Sequence, residues 1–179
     1  MKHIVVYLLI FSGILAACSR NGNPKETLTN DLEKTVIKPF SDSLKADTFK
    51  LKLIGDEPKK MTLLFTITSF EGKEIYNISI KATDLFKNYD ATIDLTKKNN
   101  QVKFISDEAA RFFDDENFME PAVTEQEQPD QYVPDKLFFA ELKQTQLNGF
   151  IYRLGKENKI YIAWSVQQKK TKTYYNCCK

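Results

Sequence analysis

Histidine is almost missing from this chain of 179 residues: the single one is His3, at the edge of an N-terminal apolar run. A body without histidine cannot assemble a Ser-His-Asp or Cys-His nucleophile, an H-E-x-x-H zinc site or a histidine general base. No serine has a lysine three residues downstream, so the S-x-x-K arrangement is missing too. Neither G-x-x-x-x-G-K-S/T nor G-x-G-x-x-G occurs, which excludes phosphate cradles of those two kinds. Cysteine is limited to Cys18, Cys177 and Cys178, too poor a set for a structural zinc site. The acids could offer oxygen ligands to Ca²⁺, but the glycine that shapes an EF-hand loop is not among them, and no cofactor is expected. There is no second long apolar run, so nothing beyond the N-terminus is expected to reach a bilayer.

What is present begins with Met1-Lys2-His3, a positive start, followed by a mostly apolar run of about fourteen residues from Ile4 that ends in Leu15-Ala16-Ala17-Cys18. The run is too short to span a bilayer, which takes about twenty residues as a helix, and reads as a secretory signal peptide over residues 1–17. With leader, small residues and cysteine in that order, the segment resembles the bacterial lipoprotein class, whose lipobox is Leu, a small residue, Ala or Gly, then Cys. The resemblance covers the first eighteen residues and implies that Cys18 carries a diacylglycerol, becomes the first residue after cleavage, and is acylated on its amino group. Each buried methylene of such chains contributes about 0.8 kcal/mol, so two or three chains hold a protein on a membrane with very slow release. The other reading of these residues is an ordinary signal peptide with a cysteine beside its cleavage site. Ser19 to Pro24 is small, polar and turn-rich, a tether within residues 18–46. In the class, an aspartate directly after the cysteine often retains a protein at the inner membrane. Ser19 and Arg20 stand there instead, so the expected address is the outer membrane, facing the periplasm.

Residues 18–179 number 162, enough for one domain with a real core, and at 42% hydrophobic residues over its full length the chain is globular. The net charge of +2 conceals an asymmetry. Asp114, Asp115, Glu116, Glu120, Glu125, Glu127, Asp130 and Asp135 give residues 114–135 a charge of −8. Residues 153–179 carry Arg153, Lys156, Lys159, Lys169, Lys170, Lys172 and Lys179 against Glu157, a charge of +6. These segments face each other, a partner, or solvent. Cys177 and Cys178 can form a vicinal disulfide, link two chains into a dimer, or sit on a tail without a role.

Periodicity points to a mainly β, α+β fold: a single domain of antiparallel sheet, sandwich or partly open barrel, over residues 47–168, with two or three short helices. Leu28, Leu32 and Val36 recur every fourth residue and predict a short helix over 27–37. Phe49, Leu51 and Leu53 alternate with lysines, and Met61, Leu63, Phe65 and Ile67 alternate with threonines. Gly72 supplies the positive φ for a hairpin over 61–81. A helical turn capped by Thr83 follows, then short strands near 92–95 and 101–105, and a helix capped by Ser106 with Ala109, Phe112 and Phe113 as its stripe. Residues 114–136 are expected as an acidic loop. A meander over 137–168 follows: a strand at 137–147 burying Phe138, Ala140 and Leu142, a hairpin at Asn148-Gly149, a return over 150–154, and a last strand with Trp164 on its apolar face. Residues 169–179 are a basic and aromatic tail.

The tail mixes lysines with tyrosines as nucleic-acid binders do, but an exported, anchored protein meets anionic lipid or acidic polymer instead, and no nucleic-acid partner is expected. Carboxylate pairs survive the exclusions. Glycoside hydrolysis needs two acids about 5–10 Å apart, and Asp107 and Glu108, or Asp114, Asp115 and Glu116, are the nominees for that alternative. The primary expectation is a non-catalytic, lipid-anchored binding or assembly partner for an envelope protein or glycan. A third reading is an immunity-type inhibitor whose acidic loop masks a basic toxin.

Overall fold

The computed structural model describes residues 32–89 and 93–177, so the leader, Cys18 and Cys178 lie outside the described residues. Strands β1 (Glu33–Pro39), β2 (Ala46–Ile54), β3 (Thr62–Thr68) and β4 (Glu74–Lys81) form one antiparallel sheet in that order. The expected hairpin is β3–β4: Leu63, Phe65 and Ile67 are buried, and Gly72 turns the chain at φ +80°. Asp47 ties two turns together at one end of this sheet. Its wholly buried carboxylate accepts from Ser41 N at 2.6 Å, Ser41 Oγ at 3.1 Å and Phe70 N at 2.8 Å.

A single helical turn, α1 (Ala82–Leu85), and the longer α2 (Lys98–Arg111) separate this sheet from the second. That sheet is also antiparallel, in the order β5 (Phe118–Met119), β6 (Gly149–Arg153), β7 (Lys159–Ser165), β8 (Lys170–Cys177). Helix α3 (Lys136–Thr145) lies on its outer side. The result is an α+β, sandwich-like fold of two four-stranded sheets with no closed barrel.

The sheets meet on aromatic rings. Phe49 and Phe65 of the first sheet lie 5.4 and 5.2 Å from Phe150 of the second, and Phe112 and Phe113, just after α2, close the cluster. β6 is buried on both faces: Phe150 and Tyr152 face this core, while Ala163 of β7 and Tyr174 of β8 join Val123, Phe138, Phe139 and Leu142 in a second one. A Cβ at Gly149 would come within 2.9 Å of the Ala122 side chain, so the segment carrying Ala122 packs that closely only against glycine. Trp164 is half-buried against the main core, on the apolar face expected for it.

Several expected elements differ. Residues 33–39 form a strand, not a helix; the fourfold spacing of Leu32 and Val36 is even and so also fits one strand face, and Thr35-Val36-Ile37 is a β-branched run. Residues 101–105 lie in α2, which starts eight residues before Ser106; Gln101, Phe104, Ile105 and Ala109 are its buried stripe. Thr83 lies inside α1, whose N-cap is Lys81 with no side-chain cap. Residues 136–145 form α3 rather than a strand. Asp135 accepts from the backbone N–H groups of Leu137 and Phe138 at its start, and Gln146, left-handed at φ +52°, ends it. Asn148-Gly149 therefore leads from a helix into β6 instead of closing a hairpin, with Asn148 Nδ2 donating to Pro39 O at 3.1 Å. The meander is β6–β7–β8, and the expected tail is mostly β8.

The acidic loop covers the second sheet. Phe118, Ala122, Val123 and Val133 are buried within it. It faces the basic segment: Lys172 Nζ lies 2.6 Å from Asp135 Oδ2, Tyr175 OH donates to Asp130 at 3.0 Å, and the Tyr132 and Tyr175 rings meet edge to face. Buried Glu141 on α3 accepts from Ser165 Oγ at 2.9 Å and Gln167 N at 3.0 Å, which locks that helix to the β7–β8 turn.

Candidate binding cleft

A cleft of about 460 Å³ opens beside α2, within the range of about 300–1,000 Å³ common for small-molecule sites. Its deeper wall is apolar: Leu63 from β3, Leu85 from α1, Phe104 and Phe112 along and beyond α2, and Tyr152 from β6. Tyr89 and Ile93 flank the mouth, the Tyr89 ring packing edge-on to Phe104 at 4.7 Å. The rim is charged, with Asp107, Glu108, Arg111 and Glu116 on one side and Arg153 at the end of β6.

Helical spacing produces this arrangement. Residues 104, 107, 108 and 111 fall at i, i+3, i+4 and i+7 on one face of α2, so a buried phenylalanine is followed by charges that climb toward solvent. Asn117 fixes the far end, Nδ2 donating to the carbonyls of Arg111 and Phe112 at 3.2 Å each. Gln101 Nε2 donates to Leu95 O at 2.6 Å and holds the preceding segment against the helix. Gly155, at φ +98°, lets the β6–β7 turn approach the chain after α1, where Lys156 N donates to Lys87 O at 3.1 Å.

The charges are unequally satisfied. Glu108 Oε1 lies 2.9 Å from Arg111 Nη2 with its side chain only 15% exposed, and Asp107 lies 3.1 Å from Lys103 Nζ. Among the described residues, Glu116 and Arg153 have no ion-pair partner. Tyr152 OH and Tyr76 OH are 2.8 Å apart, and burial pushes the Tyr152 hydroxyl far above the usual phenol range, so both stay protonated and neutral.

The nominated acids divide. Asp107, Glu108 and Glu116 reach the cleft, while Asp114 and Asp115 do not line it; Asp115 points to solvent, its side chain 93% exposed and 3.1 Å from Lys38 Nζ. Arg111 and Arg153 are not among the acids nominated from the sequence. For Arg111, the signal lies in its helical spacing from Phe104. Cys177 closes β8, but Cys178 lies outside the described residues, and so does any pairing between them. Among the described residues no group of three or more histidine, cysteine, aspartate or glutamate side chains could hold a metal ion. No described helix is long and apolar enough to cross a membrane. No family model, curated protein or solved structure matches this chain.

Proposed function

We propose that the chain is an exported lipoprotein, fixed by acyl chains on Cys18 to the periplasmic face of the outer membrane, whose body binds an envelope component without catalysis. The observation that carries the reading is Leu15-Ala16-Ala17-Cys18 at the end of a positively started apolar leader. The cleft is the binding element in this reading, because it combines an apolar floor with a charged rim. The acidic loop is a poorer choice for a contact surface: Asp115, Asp130 and Asp135 already engage Lys38, Tyr175 and Lys172. The deciding experiment is growth with radiolabelled palmitate followed by membrane fractionation. The protein should take up label and sediment with outer membranes, and Cys18→Ser should do neither. An unlabelled wild-type protein would remove the reading.

One observation favours a second reading, a glycan hydrolase with two carboxylates: Asp107, Glu108 and Glu116 line the same cleft. It ranks lower because the first two are already engaged in ion pairs with Lys103 and Arg111. Hydrolysis of peptidoglycan, lost in Glu108→Gln or Glu116→Gln, would reverse the order.

A further inference from the structure

We infer that the β1–β2 and β3–β4 turns make a second membrane contact, seating Leu44 and Phe70 in the headgroup layer of the bilayer that holds the chain. This rests on the acyl anchor at Cys18. The two turns lie at one end of the first sheet, beyond the paired residues Pro39 and Ala46 and the paired residues Thr68 and Glu74. Leu44 is the most exposed large apolar side chain among the described residues, at 92%, and Phe70 is 39% exposed. They sit together: Lys45 Nζ lies 4.3 Å from the centre of the Phe70 ring, and Asp47 accepts from the backbone of both turns, at Ser41 and at Phe70. Exposed Ile37 flanks them, in one cross-strand row with Thr48 and Thr68. A buried carboxylate is costly to desolvate, and here it fixes the one end of the sheet whose turns present apolar side chains.

A turn entering a layer poor in water pays for each unpaired backbone group. In these turns the donors are taken internally. Asp42 Oδ1 accepts from Leu44 N at 2.8 Å and Lys45 N at 3.0 Å. Gly72 N donates to Ser69 O and Ser69 N to Lys73 O, both at 2.8 Å, and Lys73 N to Ser69 Oγ at 3.3 Å. The charges cancel, Asp42 and Glu71 against Lys45 and Lys73, so apolar area drives the contact rather than attraction to anionic lipid. A protein interface takes about 20–30 residues from each side, more than two short turns hold, whereas a bilayer needs only side chains that sink into it. Chain length permits the arrangement. Residues 19–31 number 13 and span up to about 45 Å, and the seven residues of β1 cover about 23 Å. The chain can therefore enter the sheet at its other end and still lay these turns on the membrane.

The test uses the acylated full-length protein in bilayer discs of phosphatidylcholine, with and without a lipid that carries a nitroxide near its headgroup, followed by amide signals. Residues 43–45 and 70–72 should be broadened most. Residues 56–60, between β2 and β3 at the other end of the same sheet, should be broadened least. Leu44→Ser should lower the ratio of docked to free turns about tenfold, the worth of burying one leucine side chain, and Leu44→Ile should keep it. Leu44 is exposed, so the fold should persist in both, as unchanged signals from β6 and β7 would show. The inference fails if the turn signals stay sharp, if residues 56–60 broaden as much, or if Leu44→Ser leaves the pattern unaltered. Palmitate incorporation reads the anchor alone: a labelled protein whose turns stay sharp keeps its anchor and loses this contact, and an unlabelled one loses both.

Discussion

Truncating Phe150 to alanine should cost more than almost any other single change, because this ring joins every part of the main core. It is wholly buried, and its centroid lies 4.9 to 5.9 Å from those of Phe49, Phe65, Phe112, Phe113 and Phe118, which belong to β2, β3, the end of α2 and β5. Removal loses the transfer free energy of the ring and leaves a void lined by rigid aromatic neighbours that collapse poorly. Phe→Ala changes of this kind cost about 3–5 kcal/mol. Against a total of about 5–15 kcal/mol for a domain, that is a large fraction. With a urea m value of about 2 kcal/mol/M, the unfolding midpoint should fall by about 2 M with m unchanged. Phe150→Leu keeps most of the buried apolar area and should lose no more than about half as much. A Phe150→Ala midpoint within about 0.5 M of wild type would mean that the sheets do not meet on this ring.

Asp47→Ala should cost about 3 kcal/mol, since the Ser41 and Phe70 backbone N–H groups lose a charged acceptor; Asp47→Asn, with one oxygen left, should cost about half that. Hydrogen exchange at Phe70 should accelerate in both, and an unchanged rate would show that the two turns stand without the carboxylate. Asp135 is held below the usual carboxylate range, first by its hydrogen bond from Lys172 and then by the Phe138 backbone N–H. A depressed native value means stabilisation that is present above the unfolded value of about 3.9 and lost as pH falls through the native one. Urea midpoints of wild type and Asp135→Asn should therefore converge as pH drops below about 4, and curves that stay parallel would deny the linkage.

The readable parts of the fold are those where one period has no rival. Thr62, Thr66 and Thr68 alternate with large apolar residues, and only a strand puts Leu63, Phe65 and Ile67 on one side. Residues 101–105 and 137–142 admit two periods. Val102 and Phe104 sit two apart, but so do many residue pairs on a helix, and the buried set Gln101, Phe104, Ile105 and Ala109 is visible only at 3.6. The cleft was less legible still. Leu63, Leu85 and Tyr152 share no local pattern and are gathered by tertiary packing alone. Only its α2 face, carrying Asp107 and Glu108, had a local signature.

The segment after Asp135 shows what decides between the periods, and it can be tested directly. As a strand, Phe138, Ala140 and Leu142 would be buried and Phe139 would face solvent. As α3, Phe138, Phe139 and Leu142 are buried and Ala140 is exposed. Asp135 tips the balance: its carboxylate satisfies two N–H groups that a helix start leaves without partners, and a strand would have no such need. Ala140→Glu should therefore change stability by less than about 0.5 kcal/mol, as surface helix substitutions do, while Phe139→Ala should cost about 3–5 kcal/mol. The reverse order in urea unfolding would put Ala140 inside and Phe139 out, an arrangement possible only if the segment were extended.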